Sequence, residues 1–295
     1  MRRNPAATNE VYSPSRLASF EDCPRKFHFR YVEKVPVDSE SVEAFVGKRV
    51  HEVLERLYHF TDRGMVPSLG KVLDRFRSMW AEAWSPDRIR IVREGMEPLH
   101  YRANGERCLT NYYRRHYPFD HGETLGIEER VAFSLDEGGG YRVRGIVDRI
   151  VRTPDEAIEI HDYKTGQRVP RQEQLDQDRQ LALYQMGVAL RFGHDGPIRL
   201  VWHYLLSDQL RTSSRTPEAL ASLRDETIGL IDRIRAEREF EPRPSALCRW
   251  CEYSKLCPAG PDRAAAAPDA AAPLAAPSET PPAAANALGQ LLLLR

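Results

Sequence analysis

The stretch GIVDRIVRTPDEAIEIHDYKTG, residues 145–166, contains two short runs of alternating apolar and polar residues on either side of a turn. Thr153, Pro154 and Asp155 are turn formers, so the pattern predicts a hairpin with strands over 141–152 and 157–164. Residues two apart on a strand share a face, so Asp162 and Lys164 project together. Closing the hairpin sets Asp148 across from about His161–Asp162. Two carboxylates and a lysine then converge near the end of a sheet. A D-x-K triplet alone describes an ordinary charged surface hairpin equally well, so the rest of the chain decides.

Upstream, residues 124–135 alternate as well, with Gly138-Gly139-Gly140 as the turn into the next strand. Residues 41–62 predict an amphipathic helix with Phe45, Val46, Val50, Val53, Leu54, Leu57 and Tyr58 as its apolar stripe. Helices are also expected over 68–84 and 99–117, with Trp80, Trp84, Tyr112 and Tyr113 in the core. Ser13-Pro14 starts a helix, Ser as cap and Pro at its first position, and Pro24 splits it just after Cys23. Downstream come a helix over 172–192, a buried strand over 197–206 and a long polar helix over 217–238. The order is helices, three strands, helix, strand, helix, which gives an α/β or α+β class.

Residues 1–12 lack periodicity and are expected to be loose. Residues 261–295 are rich in Ala and Pro, cannot bury a core, and are expected to be disordered. The folded domain is then 13–260. The terminal LGQLLLLR is either a hook for a partner or an unstructured end. Hydrophobic residues make up 41% of the chain, enough for a core, and no apolar run is long enough for a bilayer. The first residues carry no apolar stretch of the kind that directs secretion, so a cytoplasmic location without membrane attachment is expected. Basic and acidic residues number 43 each, so any attraction for nucleic acid must come from local clustering rather than net charge.

Carboxylates that converge repel one another unless a cation joins them, and oxygen ligands suit magnesium or manganese. A lysine beside such a cation can orient or deprotonate a water, which is equipment for hydrolysing a phosphodiester. Other residues join the same reading. His51 in GKRVH offers a nitrogen ligand, although a histidine on a helix face is the plainer alternative. Glu128 begins the first strand and can face the same pocket, with Glu129 as the competing choice, because a register slip of one residue swaps faces. Gln180 and Tyr184 lie four apart, on one helix face.

Five cysteines are present, and Cys248, Cys251 and Cys257 form the compact CRWCEYSKLCP. Three thiolates leave one ligand wanting, and Cys23 in FEDCPRKF is the natural fourth. Four thiolates hold either zinc or an iron–sulfur cluster, and spacing alone does not choose between them. Cys108 has no partner motif and reads as a core thiol. The segment from Arg25 to Tyr31 interleaves basic and aromatic residues. It either touches a nucleic-acid backbone and stacks a base, or turns its rings to the core.

The ordered set G-x-x-x-H (Gly47–His51), G-x-x-D (Gly145–Asp148), D-x-K (Asp162–Lys164) and Q-x-x-x-Y (Gln180–Tyr184) resembles the RecB-like branch of the PD-(D/E)xK nuclease superfamily. The resemblance spans about residues 13–258. It implies a restriction-endonuclease-like core, a mixed sheet flanked by helices, with an N-terminal helical portion and a C-terminal cysteine loop. It implies metal binding by His51, Asp148, Asp162 and the Tyr163 carbonyl, catalysis with Lys164 and Glu128, and a substrate strand held by Gln180 and Tyr184. The early Cys23 and the three late cysteines resemble the clustered members of that branch, the AddB-type helicase–nucleases and CRISPR-associated RecB-like exonucleases. That favours a 4Fe-4S staple over zinc. The expected activity is a DNA exonuclease on single-stranded ends in repair, working with a separate helicase or other repair subunit, because no G-x-x-x-x-G-K-[ST] motif is present. The alternatives are a CRISPR-associated nuclease that trims DNA before spacer integration, and a non-catalytic DNA-binding subunit.

Overall fold

The computed structural model describes residues 10–260. Ser13 caps the first helix through its side chain, which accepts a hydrogen bond from the Arg16 amide, and Pro14 opens helix α1 (Pro14–Asp22). Pro24 divides the helix as its missing N–H requires: Cys23 is extended, and α2 (Pro24–Phe27) continues into a π-helical turn over His28–Val32. Three helices follow, α3 (Val42–Thr61), α4 (Leu69–Ala83) and α5 (Pro98–His116). They pack their apolar stripes into one core around Phe45, Leu54, Tyr58, Phe76, Trp80 and Tyr112. Burying each such side chain contributes about 1.5–3 kcal/mol.

The sheet starts with β1 (Val11–Tyr12), which pairs parallel with Arg142 and Val143. Val11 and Tyr12 were expected to be loose, and this corrects that expectation: Tyr12 is fully buried among Leu17, Phe27 and Val143. Two residues are too few for an alternation to show. Residues 1–9, and the tail over 261–295 with its LGQLLLLR end, lie outside the described residues. A small parallel pair, β2 (Glu40–Ser41) with β3 (Ile89–Arg90), ties the start of α3 to the segment before α5.

β4 (Glu123–Ser134) and β5 (Arg142–Arg152) form an antiparallel hairpin. β6 (Ile158–Lys164) runs antiparallel to β5 and parallel to β7 (Ile198–Tyr204), and β7 pairs antiparallel with β8 (Gln209–Ser213). The sheet is therefore mixed. The parallel β6–β7 step needs a crossover, which α6 (Gln172–Leu175) and α7 (Arg179–Phe192) supply. The single helix expected over 172–192 is thus broken at residues 176–178. Asp178 accepts from the Leu181 amide and caps a new helix there. β8 is a further addition, a short edge strand that the sequence pattern did not mark.

α7 covers one face of the sheet through Val147, Ile150, Leu181, Tyr184 and Trp202. α3 to α5 cover the other face, with Tyr163, Leu205 and Leu206 joining their core. α8 (Pro217–Ala236) closes the end of the sheet against α1 and β5.

Candidate active site

β5 and β6 pair only from Arg149 and His161 onward, up to Arg152 and Ile158. Before Arg149 the two strands diverge, and the fork between them is where the predicted carboxylates meet. Asp148 takes over the ladder's role at the fork: its Oδ2 accepts the Tyr163 N–H at 2.7 Å. Alternation slips at the same level. Val147 and Ile150 both pack toward α7, while Asp148 meets His51 of α3 and Arg149 lies over Tyr58, also of α3. On β4 the matching position is Glu128, which adopts a positive φ of 47°. An L-residue there stores strain of order 1–3 kcal/mol, and such outliers cluster at functional sites. The slip turns Glu128 toward His51 and leaves Glu129 on the α7 side, paired with Arg191 at 2.5 Å. Of the two competing glutamates, Glu128 is the one in the site.

His51, Glu128 and Asp148 form a group whose ligand atoms all lie within 4.8 Å of one another. His51 Nδ1 is 3.5 Å from Asp148 and 3.9 Å from Glu128, while Nε2 donates to the Tyr163 carbonyl at 2.9 Å. That last bond fixes the ring's orientation, in the manner of supporting groups at metal sites. It also occupies the carbonyl expected as a ligand. Burial disfavours the charged imidazole, but hydrogen bonds to Asp148 and Glu128 and the nearby negative charges outweigh it, and His51 is pushed up to about 10.

Asp162 is buried at 4% exposure and belongs to a second group. Its Oδ2 is 2.7 Å from Lys164 Nζ, and its Oδ1 accepts from Gln180 Nε2 at 3.0 Å. Gln180 Oε1 in turn accepts from Lys164 at 3.2 Å, and the Gln180 amide donates to the Tyr184 hydroxyl at 3.3 Å. The four expected residues are thus one hydrogen-bonded chain, with Gln180 bridging both members of the D-x-K pair. Burial, moderated by Lys164 and reinforced by Asp148, raises Asp162 to about 6. Burial opposes the Lys164 charge, yet Asp162 prevails and holds the lysine above its ordinary value.

The two glycines of the expected motifs have steric reasons. A Cβ on Gly145 would fall 2.2 Å from the Tyr184 ring, so only glycine lets that ring lie against β5. A Cβ on Gly47 would meet the Thr165 hydroxyl at 3.3 Å, close enough to crowd α3 where it passes the end of β6. The sequence reading missed Arg149. Its guanidinium is buried 4.1 Å over the Tyr58 ring, behind Tyr163. A lone arginine in a strand carries no pattern that announces this.

At the far end, Cys23, Cys248, Cys251 and Cys257 line one cavity of about 50 Å³. Backbone amides point at two of the sulfurs, Arg243 N–H to Cys23 at 3.4 Å and Ser245 N–H to Cys248 at 3.3 Å. Cys108 is a buried core thiol, pushed up to about 12 by desolvation. The basic-aromatic segment resolves toward structure: Phe27 is buried, and Lys26 and Arg30 pair with Glu252 of the cysteine loop.

A family model described as the PD-(D/E)XK nuclease superfamily matches residues 11–258. No curated protein matches the chain. Among solved structures, a candidate exonuclease from Eubacterium rectale is similar at 15% identity and a TM-score of 0.48, covering 83% of this chain and 88% of that one. The protein SSO0001 is similar at 14% identity and a TM-score of 0.37, covering 86% and 88%.

Proposed function

Because this chain belongs to the PD-(D/E)XK nuclease superfamily, and is therefore a phosphodiester hydrolase with DNA as its substrate class, we propose that it is an exonuclease on single-stranded ends whose site is the β5–β6 fork. The observation that supports this is the convergence there of Asp148, Asp162 and Lys164 with His51 and Glu128. Residues 13–260 would act as one nuclease domain.

Nucleases of this family use divalent metal ions, and the donor set fits one. Two carboxylates and an imidazole converge, a third carboxylate lies behind them, and the Tyr163 carbonyl holds His51 Nε2 so that Nδ1 faces the carboxylates as the donor atom, its proton leaving when a metal binds. His51, Glu128 and Asp148 would hold magnesium or manganese, with Asp162 at its edge. The ion would supply Lewis-acid stabilisation of the phosphate. Lys164, held charged by Asp162, is placed to orient the attacking water. Gln180 fixes both partners of that pair, and Tyr184 anchors Gln180.

The cysteine cavity would hold a 4Fe-4S cluster rather than zinc, a reading supported by the resemblance of one early and three late cysteines to the clustered members of the RecB-like branch. The amide-to-sulfur contacts fit an anionic group held by thiolates, and such contacts tune iron–sulfur centres. The cluster would staple Cys23 to the C-terminal loop and place the chain in the RecB-like clustered branch, a repair nuclease served by a separate helicase.

The test is cleavage of end-labelled oligonucleotides with magnesium or manganese, on protein purified without oxygen. Asp148→Asn, Asp162→Asn and Lys164→Met should each abolish cleavage with the fold intact. Wild-type cleavage by Lys164→Met overturns the site. A colourless protein with stoichiometric zinc overturns the cluster.

A further inference from the structure

Beyond Asp148 the β4–β5 hairpin extends past the cover of α3. Arg130 and Ala132 of β4, and Arg144 and Ile146 of β5, are exposed there on the face opposite α7. Register places Arg130 opposite Ile146 and Ala132 opposite Arg144, so the two arginines are diagonal neighbours across the ladder. Among the described residues neither has a hydrogen bond or a carboxylate partner. The other exposed large residue there, Ile146, is aliphatic and 48% open to solvent. Two unpaired cations this close repel each other and are stabilised by an anion that spans them.

The patch borders a cavity of about 930 Å³ that reaches Gly145, Gln180 and Tyr184. Its far wall is the start of α1 and of α7, held together by Arg179 with Glu21 at 2.7 and 2.9 Å. On the opposite side of the fork the lining is mixed in charge, with carboxylates in place of a pair of arginines. The smaller cavity there is lined by Glu52, Glu55 and Glu128 with Lys48 and His51, and Glu52 is ion-paired to Arg49 at 2.9 Å.

We propose that the β4–β5 face is the track for a single polynucleotide strand, with its phosphates on Arg130 and then Arg144, leading to the β5–β6 fork. This rests on the nuclease reading above and adds the path and its direction. Along β5, Arg144, Ile146 and Asp148 share one face, so each step is two residues, about 6.8 Å. That matches the phosphate-to-phosphate step of an extended strand. With the scissile phosphate at Asp148, the next falls level with Ile146 and Arg130, and the one after level with Arg144. Ile146 offers an apolar surface to a base or sugar between them. Beyond His51 the lining offers Glu52 and Glu55 with Lys48 in place of the paired arginines of the track, so the strand is taken to end at the fork.

The test separates binding from chemistry. Fluorescent oligothymidylate is titrated against the Lys164→Met protein, with and without Arg130→Ala and Arg144→Ala, over a salt series. The Arg63→Ala change, on the exposed turn after α3, is the control. Each lost phosphate contact should lower the slope of log affinity against log salt by about 0.7, so the double variant loses about 1.4 and binds roughly tenfold more weakly or worse at low salt. Neutral methylphosphonates at the first and second phosphates on one side of the cut should weaken binding to the arginine-bearing protein and have no further effect on the double variant. The wild-type enzyme should degrade linear strands and leave circular ones. An unchanged slope in the double variant, an equal loss in Arg63→Ala, or circles cut as fast as linear strands overturns the track. Arginine-dependent binding with no cleavage by wild type under any divalent metal upholds the track and overturns the nuclease reading instead.

Discussion

Replacing Gly145 by Ala adds one carbon, and the structure states what that carbon meets: Tyr184 Cε1 at 2.2 Å, Cδ1 at 2.9 Å and Cζ at 3.2 Å. Real Cβ contacts do not close to 2.2 Å, so the ring or the strand must shift. The backbone itself is no obstacle, because Gly145 is not among the glycines with positive φ. Overpacking of this kind costs about 1–3 kcal/mol. For a protein of this size each kcal/mol moves Tm by roughly 2–4 °C, so the variant should melt roughly 2–12 °C lower. Displacing Tyr184 also removes the hydroxyl that anchors Gln180, which touches both Asp162 and Lys164. A lost hydrogen bond of about 1 kcal/mol corresponds to a several-fold fall in cleavage. The assay is a double-mutant cycle by thermal melting and single-turnover cleavage, with Tyr184→Ala as the partner. In the Tyr184→Ala background the ring is gone, so adding Gly145→Ala should change Tm little. An equal loss in both backgrounds, or no loss in either, refutes the contact as the reason for the glycine.

Calorimetric titration with manganese should show weaker binding in His51→Ala and Asp148→Asn, and near wild-type binding in Lys164→Met, since the lysine supplies no ligand. Equal weakening in all three would move Lys164 into the ligand set. The buried histidines make the fold sensitive to acid. Burial, with Arg149 and neighbouring histidines adding to it, lowers His161 and His203 and takes His116 down to about 3. These rings stay neutral in the folded protein while the unfolded chain takes up protons below about 6.5, so stability is lost as pH falls through that value. Asp162, raised to about 6, and His51, raised to about 10, oppose this with one proton each, fewer than the three neutral rings. Without added metal, Tm should therefore fall between pH 7 and pH 5, and a rise would refute the neutral cluster. Arg149→Met removes a cation buried 4.1 Å over the Tyr58 ring, and should cost about 2 kcal/mol in denaturant melts. An unchanged midpoint would show that the guanidinium contributes nothing net.

Much of the fold was legible because its signals are local. Amphipathic periodicity placed α3, α4 and α5, Ser13-Pro14 and Pro24 bounded α1, and Thr153-Pro154-Asp155 closed the β5–β6 hairpin. Those signals live in residues close in sequence, and the side-chain periods of helix and strand are fixed by covalent geometry. The motif order around His51, Asp148, Asp162, Lys164, Gln180 and Tyr184 carried the family in the same way. Tertiary structure alone decided the rest. It chose Glu128 over Glu129 through a positive φ that no residue type announces, and it put Glu128 rather than Asp162 in the closest ligand triad. It paired two residues, Val11 and Tyr12, with a strand 131 positions away, through a register too short to leave a pattern. It gave Gly145 its reason, a ring arriving from another helix. It also left Arg130 and Arg144 as diagonal neighbours with no carboxylate partner among the described residues, although the chain's charges sum to zero. Each of these depends on how strands diverge and which surfaces meet across the chain, and sequence patterns record only what neighbours along the chain must do.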